Sequence, residues 1–281
     1  MTWEVIDIRP RAMHSRAMST LLETPPLTIG LQLRKLRQQA GLSQLDLALH
    51  SGISQRHLSC LETGRARPSP AMLDTLLSAM DTPLAARNSL FLTAGFAPRY
   101  AALPLADPGL EMVHEAITHI LKANDPAPAI VLDSNWNVIA ANAGTAALLQ
   151  LVSLPAEAIG SDLNLLTTLL APGGLGDRLL NAEQIRRVAW QRASREALDN
   201  TGLAQLLARL PVPTGHATEA EQALPPVLIT RLDSSAGELC FLSTFTTFGM
   251  PQDITVASLR IEHLIPADAA TWTAMQAACP R

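Results

Sequence analysis

Hydrophobic residues in the segment 28–98 recur every three or four positions, which is the period of an amphipathic helix. Ile29, Leu33, Leu36 and Ala40 begin this pattern and share one helical face. The pattern then continues in four more short runs, separated by glycines or by a residue pair that contains proline. The segment is therefore predicted to form a compact domain of five helices.

Small hydroxyl residues mark the starts of four of these helices. Ser43 and Ser54 precede the second and third helices, whereas Ser69 and Thr82 each precede a proline at the first helical position. Gly52 supplies the positive φ that a very short turn between the second and third helices requires. These signals fix the predicted helix boundaries.

The second and third predicted helices differ in what they expose. Leu45, Ala48 and Leu49 are expected to face the interior from the second helix, and Leu58 and Leu61 from the third. The residues left outward on the third helix all carry hydrogen-bonding groups: Gln55, Arg56, His57, Ser59, Cys60 and Thr63. Two helices joined by such a turn, the second with a polar tip, are typical of a DNA-binding helix-turn-helix. An ordinary helical hairpin with a polar face is the alternative.

The pattern of hydrophobic positions changes after residue 126. Five runs rich in β-branched and aromatic residues predict strands, namely AIVLD, WNVIAAN, PVLITRL, ELCFLSTFTTF and ITVASLRIEHLI. Helical runs near 143–151, 161–170, 183–199 and 202–210 lie between the second and third of them. Strands, then helices, then strands predict an α+β domain with an antiparallel sheet. The predicted organisation is a flexible tail (1–27), a helix-turn-helix domain (28–98), a connector that includes a helix (99–126) and the α+β domain (127–281).

Charge is distributed unevenly along the chain. The net charge is −4, but residues 28–98 carry seven Lys/Arg against four Asp/Glu, and residues 99–281 carry eleven against eighteen. A basic module joined to an acidic one is expected of a DNA-reading domain with a separate partner domain. Three scattered cysteines, at positions 60, 240 and 279, and the lack of an 18-residue apolar run favour a cytoplasmic protein without a disulfide framework.

Two short stretches resemble known functional motifs, but neither has the spacing or the context that its motif requires. His114 and His119 in HEAITH are five residues apart, which separates them by about 140° around a helix and prevents a shared metal. The glycines of PGGLGDRLL follow no strand and precede no Lys-Ser/Thr, so a phosphate loop is not expected. The sequence therefore predicts neither an enzyme nor a metal site or cofactor.

The stretch LRKLRQQAGLSQLDLALHSGISQRHLSCLETGRARPSP resembles the lambda-repressor-like helix-turn-helix regulators of the XRE family. The resemblance implies a phosphate contact from Gln44 and base contacts from Gln55 and Arg56. The other implied DNA-binding residues lie around the same helix: Ser54, His57, Ser59, Cys60, Thr63, Arg65 and Arg67. It also implies an ion pair between Arg37 and Glu62. Arg65 and Arg67 would meet backbone phosphates, which give affinity without sequence information.

The stretch VLDSNWNVIAAN resembles the opening of a PAS-like sensor domain, and STFTTFGMPQDITVASLRIEHLIPAD resembles the ligand-binding domain of MmyB-like transcription regulators. The resemblance implies a homodimer that encloses a small apolar molecule, such as a fatty acid. Candidate ligand-binding residues are Trp136, Leu166, Leu170, Trp190, Phe241, Phe245, Leu259, Ile261 and His263. A filled core is the alternative for each, and His263 is either a core histidine or a head-group ligand.

The sequence thus predicts a ligand-responsive transcription regulator that binds a pseudo-palindromic DNA operator as a homodimer. The alternative is a DNA-bound adaptor whose acidic domain binds a protein partner instead of a small ligand. A tightly filled domain interior would favour the adaptor, and a bound apolar molecule would favour the sensor.

Overall fold

A computed structural model of the chain describes residues 28–154, 163–213 and 227–279. Within these ranges the chain forms two compact units. The helical unit contains residues 28–103 and 251–257, and the sheet unit contains the described residues of 104–250 and 258–281. The predicted tail 1–27 lies outside the described residues.

The helical unit contains the five predicted helices, which confirms the all-α part of the fold class. They are α1 Ile29–Gln39, α2 Gln44–Ser51, α3 Gln55–Glu62, α4 Pro70–Ala79 and α5 Leu84–Thr93. Its core is almost entirely aliphatic: Leu33, Leu47, Leu58, Leu61, Leu73, Leu76, Leu77, Met80, Leu90 and Phe91. Burial of these side chains is the main force that holds such short helices together, since isolated helices of this length are marginal in water.

Most of the predicted helix signals are confirmed. Ser43 caps α2 in a reciprocal capping box with Asp46, and Ser54 caps α3 by accepting from the His57 amide. Gly52 has φ 68°, in the left-handed region that glycine adopts at little cost. The predicted Thr82 cap is wrong, because α5 begins at Leu84 without a side-chain cap.

The predicted interior face of α2 is also wrong in part. Leu45 is 51% exposed and Leu49 is 72% exposed, whereas Leu47 and Ala48 are buried. The short helix carries leucines at three alternate positions, so each of its faces has an apolar residue. The contacts with neighbouring helices, rather than the periodicity, decide which leucine is buried.

Residues 251–257 belong to the helical unit although they lie far from its other residues in the sequence. This part of the chain forms helix α11, Ile254–Ser258, where the sequence predicted the start of a strand. The Asp253 carboxylate caps this helix and accepts a hydrogen bond from the Leu103 amide at 2.9 Å. The Ile254 amide donates to the Ala101 carbonyl at 2.8 Å. The cap explains why β-branched residues form a helix here.

The sheet unit is the predicted α+β part. Its strands are β1 Ala129–Leu132, β2 Val138–Ala141, β3 Ile229–Ser234, β4 Gly237–Thr246 and β5 Arg260–Pro266. Its helices are α6 Glu111–Asn124, α7 Ala143–Leu151, α8 Leu165–Leu170, α9 Ala182–Glu196, α10 Thr201–Leu207 and α12 Ala269–Ala278. Asn142 caps α7 as the sequence suggested, whereas α12 was not predicted.

The five strands form one antiparallel sheet in the order β2-β1-β5-β4-β3. One face packs against α6 through a small cluster that includes Ile117, Val131 and Ile261. The other face, called the inner face here, packs against α7 to α10 and α12 through the larger cluster around Phe241 and Leu239. Both faces are therefore covered, so apolar residues occur at both parities along β5.

Candidate functional sites

The third helix of the helical unit presents its first turn to solvent. Gln55 and Arg56 are exposed, and on the opposite side of α3 Leu58 and Leu61 are completely buried. The Ser54 hydroxyl accepts a hydrogen bond from the His57 amide and so caps the N-terminal turn of α3. The helix thus has one fixed, buried side and one free, polar tip.

A buried polar network holds α3 against α1. Arg37 donates to Glu62 from Nε at 2.6 Å and from Nη2 at 3.0 Å, which confirms the ion pair that the resemblance implied. Arg37 Nη1 also donates to the Leu42 carbonyl at 2.8 Å. Burial alone would raise the pKa of Glu62, but hydrogen bonds from Arg37 and Gln44 lower it below its usual value.

The side chain of Gln44 belongs to this network. Its amide nitrogen donates to Glu62 Oε2 at 2.8 Å, and the residue is partly buried at the start of α2. The sequence predicted a phosphate contact from this residue. In the structure the side-chain amide links α2 to the Arg37–Glu62 pair, and the phosphate contact stays a prediction.

The remaining predicted DNA-binding residues lie along α3, at its C-terminal end and in the loop that follows it. His57, Ser59 and Cys60 are partly exposed. Thr63 ends the helix, with its hydroxyl donating to the Ser59 carbonyl at 2.8 Å. Arg65 and Arg67 are exposed in the loop that follows. Apart from Gln44, the predicted DNA-binding residues therefore lie on α3, at its two caps or in the loop after it.

The predicted ligand-binding residues of the sheet unit do not share one space. Leu259 and Ile261 pack on the α6 face of the sheet. Trp136, Leu166, Leu170, Trp190 and Phe241 belong to the cluster on the inner face. Phe245 projects from the inner face but is 43% exposed. One ligand cannot contact residues on both faces, because the sheet lies between them.

His263 is satisfied by protein groups. Nδ1 lies 3.1 Å from Asn124 Oδ1, and Nε2 lies 2.9 Å from the Thr246 hydroxyl. Burial lowers its pKa. Its register partner on β1 is Ala129, which places it on the α6 side with Ile261. These contacts are those of a core histidine.

The sequence interpretation missed a charged cluster on the inner face. Glu196 on α9 accepts from Trp136 Nε1 at 2.7 Å, from Arg260 Nη1 at 2.9 Å and, through its other oxygen, from Arg192 Nε at 2.9 Å. Burial raises the pKa of Glu196, but its arginine and tryptophan partners outweigh that effect and lower it. Trp136 has φ 66°, a left-handed conformation that is unusual for a bulky residue.

Aromatic rings and a second carboxyl group complete this cluster. The Arg260 guanidinium lies 4.3 Å from the Trp136 ring centre, and that of Arg192 lies 3.9 Å from the ring centre of Phe245. Glu262, directly opposite Phe245 in the sheet, accepts from the Ser243 hydroxyl at 2.6 Å. Burial raises the pKa of Glu262. Alternate residues of RIEHLIP point to opposite faces of the sheet. Arg260 and Glu262 could have been placed in this cluster if the sequence had shown which set faces inward.

A cavity of about 220 Å³ lies beside the large cluster. Leu170 and three charged residues of α9, Glu183, Arg186 and Arg187, line it together with residues 211–213. Leu170 is thus the predicted ligand-binding residue that contacts this cavity. Because three of the seven lining residues are charged, the cavity is not an apolar one.

The side chains that commonly bind metals do not cluster in the described part of the chain. Within residues 28–154, 163–213 and 227–279, no cluster of His, Cys, Asp or Glu suits a metal ion. The three cysteines are free, and burial together with Glu238 raises the pKa of Cys240 to about 11. In the same ranges, no helix is long and apolar enough to cross a membrane.

Comparison with known families decides the assignment. Residues 28–90 match a helix-turn-helix domain, and residues 113–278, more than half of the chain, match the MmyB-like transcription regulator ligand binding domain. The chain belongs to the MmyB-like regulator family. The two domains occur in the order that the sequence predicted, and they make the chain a DNA-binding transcription regulator with a ligand-binding domain.

Other comparisons are less informative. No curated protein matches the chain. Among solved structures, an RNA-binding light-oxygen-voltage receptor is similar at 14% identity, with a TM-score of 0.26. That match covers 90% of this chain and 63% of the receptor chain, so this chain spans under two thirds of the length of that structure.

Proposed function

We propose that the regulator is a homodimer that reads a pseudo-palindromic operator with the first turn of α3. A small apolar effector, such as a fatty acid held by the sheet unit, controls this binding. The observation that carries the proposal is the exposure of Gln55 and Arg56 on a helix whose other side is fixed by the Arg37–Glu62 pair. A rigid helix with base-reading groups at its N-terminal turn suits entry into the major groove.

The chemistry of the exposed tip supports sequence-specific reading. A glutamine side chain matches adenine with two hydrogen bonds, and an arginine matches guanine, each worth about 1–3 kcal/mol of discrimination. Arg65 and Arg67 then supply contacts to phosphate. Two-fold symmetry of a dimer calls for two half-sites about 34 Å apart on one side of the DNA.

The operator test compares two matched double variants. Selection from a random DNA library yields the operator, and footprinting then compares the wild type with Gln55→Ala/Arg56→Ala. The control, Gln205→Ala/Arg209→Ala, removes the same residue types from exposed positions of the sheet unit. We expect the first variant to lose the footprint and the control to keep it. An unchanged footprint of the first variant would show that α3 does not read the operator.

The effector part rests on the inner face of the sheet unit. Trp136, Leu166 and Phe241 supply buried apolar surface there, of the kind that surrounds lipid-like ligands. An effector changes DNA affinity only as far as it prefers one dimer arrangement over another. Native mass spectrometry of the purified full chain, followed by solvent extraction, tests both claims. A dimer that releases an apolar molecule supports them, and a monomer contradicts the dimer.

The charged lining of the cavity beside α9 favours a second candidate function. Glu183, Arg186 and Arg187 line it, whereas common sites for apolar ligands are lined mainly by hydrophobic side chains. The alternative is a DNA-bound adaptor whose sheet unit binds a protein partner. An empty dimer that binds no added fatty acid, and whose operator affinity fatty acids do not change, would favour the adaptor.

A further inference from the structure

Charged side chains occupy the centre of the inner face, where a sheet packed against helices normally carries apolar residues. Arg260 lies opposite Leu132 of β1, and Glu262 lies opposite Phe245 of β4. Arg260 is only 9% exposed. An arginine almost never becomes this buried unless its hydrogen-bonding groups are paired. The pairing of its donors therefore needs an explanation.

The guanidinium of Arg260 is only partly paired. Nη1 donates to Glu196, and one flat side of the group packs on the Trp136 ring. Nε and Nη2 are buried, and in the part of the chain that the structure describes neither has a hydrogen-bond partner. The N–H groups of these two nitrogens lie on the same edge of the planar group and point the same way, which is the fork that binds a carboxylate at two points.

Two other arginines of this chain show what that edge binds. Arg37 uses Nε and Nη2 to hold both oxygens of Glu62, and Arg231 uses the same two atoms to hold both oxygens of Glu238. Arg260 presents the same pair of donors and is about as buried as Arg37, but among the described residues no carboxylate accepts hydrogen bonds from them. The missing partner has the chemistry of a carboxylate.

The charge of the cluster also suits one negative group. Arg192 and Arg260 share the single carboxylate of Glu196, which already accepts three hydrogen bonds. Burial raises the pKa of Glu262, which favours its neutral form, and its carboxyl is held by Ser243. The two guanidinium groups thus share one carboxylate acceptor, and a monoanion would supply a second.

We propose that the Nε/Nη2 edge of Arg260 binds the carboxylate of the effector, with the apolar body of the effector against the inner-face cluster. The proposal rests on the effector proposed above and adds which end of that molecule is recognised, and by which residue. Arg192 and Phe245, both partly exposed and stacked, lie at the solvent side of the cluster. They form the entrance through which the carboxylate reaches Arg260.

The first test compares head groups on one protein. Delipidated full-length protein is titrated calorimetrically with saturated fatty acids of medium to long chain, and with the 1-alkanols and methyl esters of the same chain lengths. We expect the acid to bind at least about ten-fold more tightly than its alcohol or ester. Equal affinities would overturn the head-group assignment and leave the apolar effector standing. Binding of none of these probes would overturn the effector proposal and this one with it.

The second test assigns the preference to Arg260. Arg260→Gln removes the charge and the fork, Arg260→Lys keeps the charge without the fork, and Arg231→Gln removes a fork on the exposed edge of the sheet. We expect the acid preference to vanish in the first variant, to weaken in the second and to persist in the control. A preference that persists in folded Arg260→Lys at its full wild-type size would show that the fork has no role. If Arg260 only tethers α9 through Glu196, acid and alcohol affinities will fall together.

Discussion

Arg37 on α1 and Glu62 on α3 form a two-point ion pair that joins these two helices, with N–O distances of 2.6 and 3.0 Å. Gln44 at the start of α2 donates to the same carboxylate. Three helices therefore meet at one carboxyl group that is almost completely buried. Loss of one partner leaves the other charge buried and uncompensated, which costs more than the pair itself contributes.

We predict that Glu62→Ala lowers the unfolding free energy of the helical unit by about 3–5 kcal/mol. Residues 28–103 contain no tryptophan, so native-state hydrogen exchange of the α1 and α3 amides is the suitable measurement. The matched control is Glu238→Ala, because the Arg231–Glu238 pair has the same two-point geometry on an exposed strand. Comparable losses in the two variants would show that burial does not matter here.

The same pair predicts a pH dependence. The pKa of Glu62 is lowered in the folded state, so its contribution to stability is complete above the unfolded value of about 4.3. That contribution is lost as the pH falls through the lower, folded pKa. Glu62→Gln removes the titrating group, so we expect the variant to lose less stability on acidification than the wild type. Parallel acid curves for the two proteins would contradict this.

Glu262 predicts the opposite sign. Its pKa is raised by burial, so its contribution to stability is complete below about pH 4.3 and is lost as the pH rises through the folded pKa. The groups that act on it are Ser243 on β4, Arg192 on α9 and Arg260 on β5. We expect Glu262→Gln to gain stability relative to the wild type as the pH rises.

Tryptophan fluorescence reports on unfolding of the sheet unit, which contains Glu262, since Trp136, Trp190 and Trp272 all lie in that unit. Urea unfolding followed by fluorescence at a series of pH values gives the difference between the two proteins. Glu115→Gln, at an exposed position of α6, is the control. A difference that stays constant with pH would show that the Glu262 carboxyl titrates normally.

Local signals in the sequence predicted much of the helical unit. Capping serines and Gly52 act on the residues next to them, so Ser43, Ser54 and Gly52 defined α2 and α3 without knowledge of the rest of the fold. The choice between Leu45, Leu47 and Leu49 depends on distant helices, and there the prediction failed. The same reason explains α11, where the Asp253 cap outweighs the strand preference of Ile254, Thr255 and Val256.

The inner-face site depended on information that the sequence does not contain. Both faces of β5 carry apolar residues because both faces of the sheet are covered. From β5, the sequence interpretation took the set of alternate residues that contains Leu259 and Ile261 as the ligand-binding one. The inner parity carries Arg260 and Glu262, which look like surface charges in a sequence. Only the packing of α9 over the sheet makes them buried.

Gly30 provides a fourth prediction, on the crossing of α1 and α3. A Cβ atom at Gly30 would overlap the Leu61 carbonyl oxygen and lie 2.8 Å from that of Glu62. We expect Gly30→Ala to destabilise the helical unit by about 1–3 kcal/mol, because rigid backbone must move. Without the clash, alanine would stabilise a helix relative to glycine by about 1 kcal/mol, so the sign of the change is decisive.

Gly52→Ala serves as the comparison for Gly30→Ala. A Cβ at Gly52 meets no atom within 4 Å, so the cost there comes from the left-handed backbone alone. Gly52→Asn should recover part of that cost, because asparagine tolerates this conformation, whereas Gly30→Asn should not. Hydrogen exchange of α1 and α3 amides measures all four variants. A stabilising Gly30→Ala would contradict the close crossing.

The last prediction separates base contacts from phosphate contacts. Arg56 lies on the first turn of α3, and Arg65 lies in the loop after it. If Arg56 reads a guanine, Arg56→Ala weakens binding to the operator but changes binding to scrambled DNA little, with a loss of about 1–3 kcal/mol. If Arg65 binds phosphate, Arg65→Ala weakens both complexes by the same factor and reduces the slope of log K against log salt by about 1.

Anisotropy titrations of both DNAs at several salt concentrations measure these quantities, with Arg209→Ala in the sheet unit as the control. A specific loss from Arg65→Ala and a uniform loss from Arg56→Ala would exchange the two roles and move the base-reading surface from the helix to the loop.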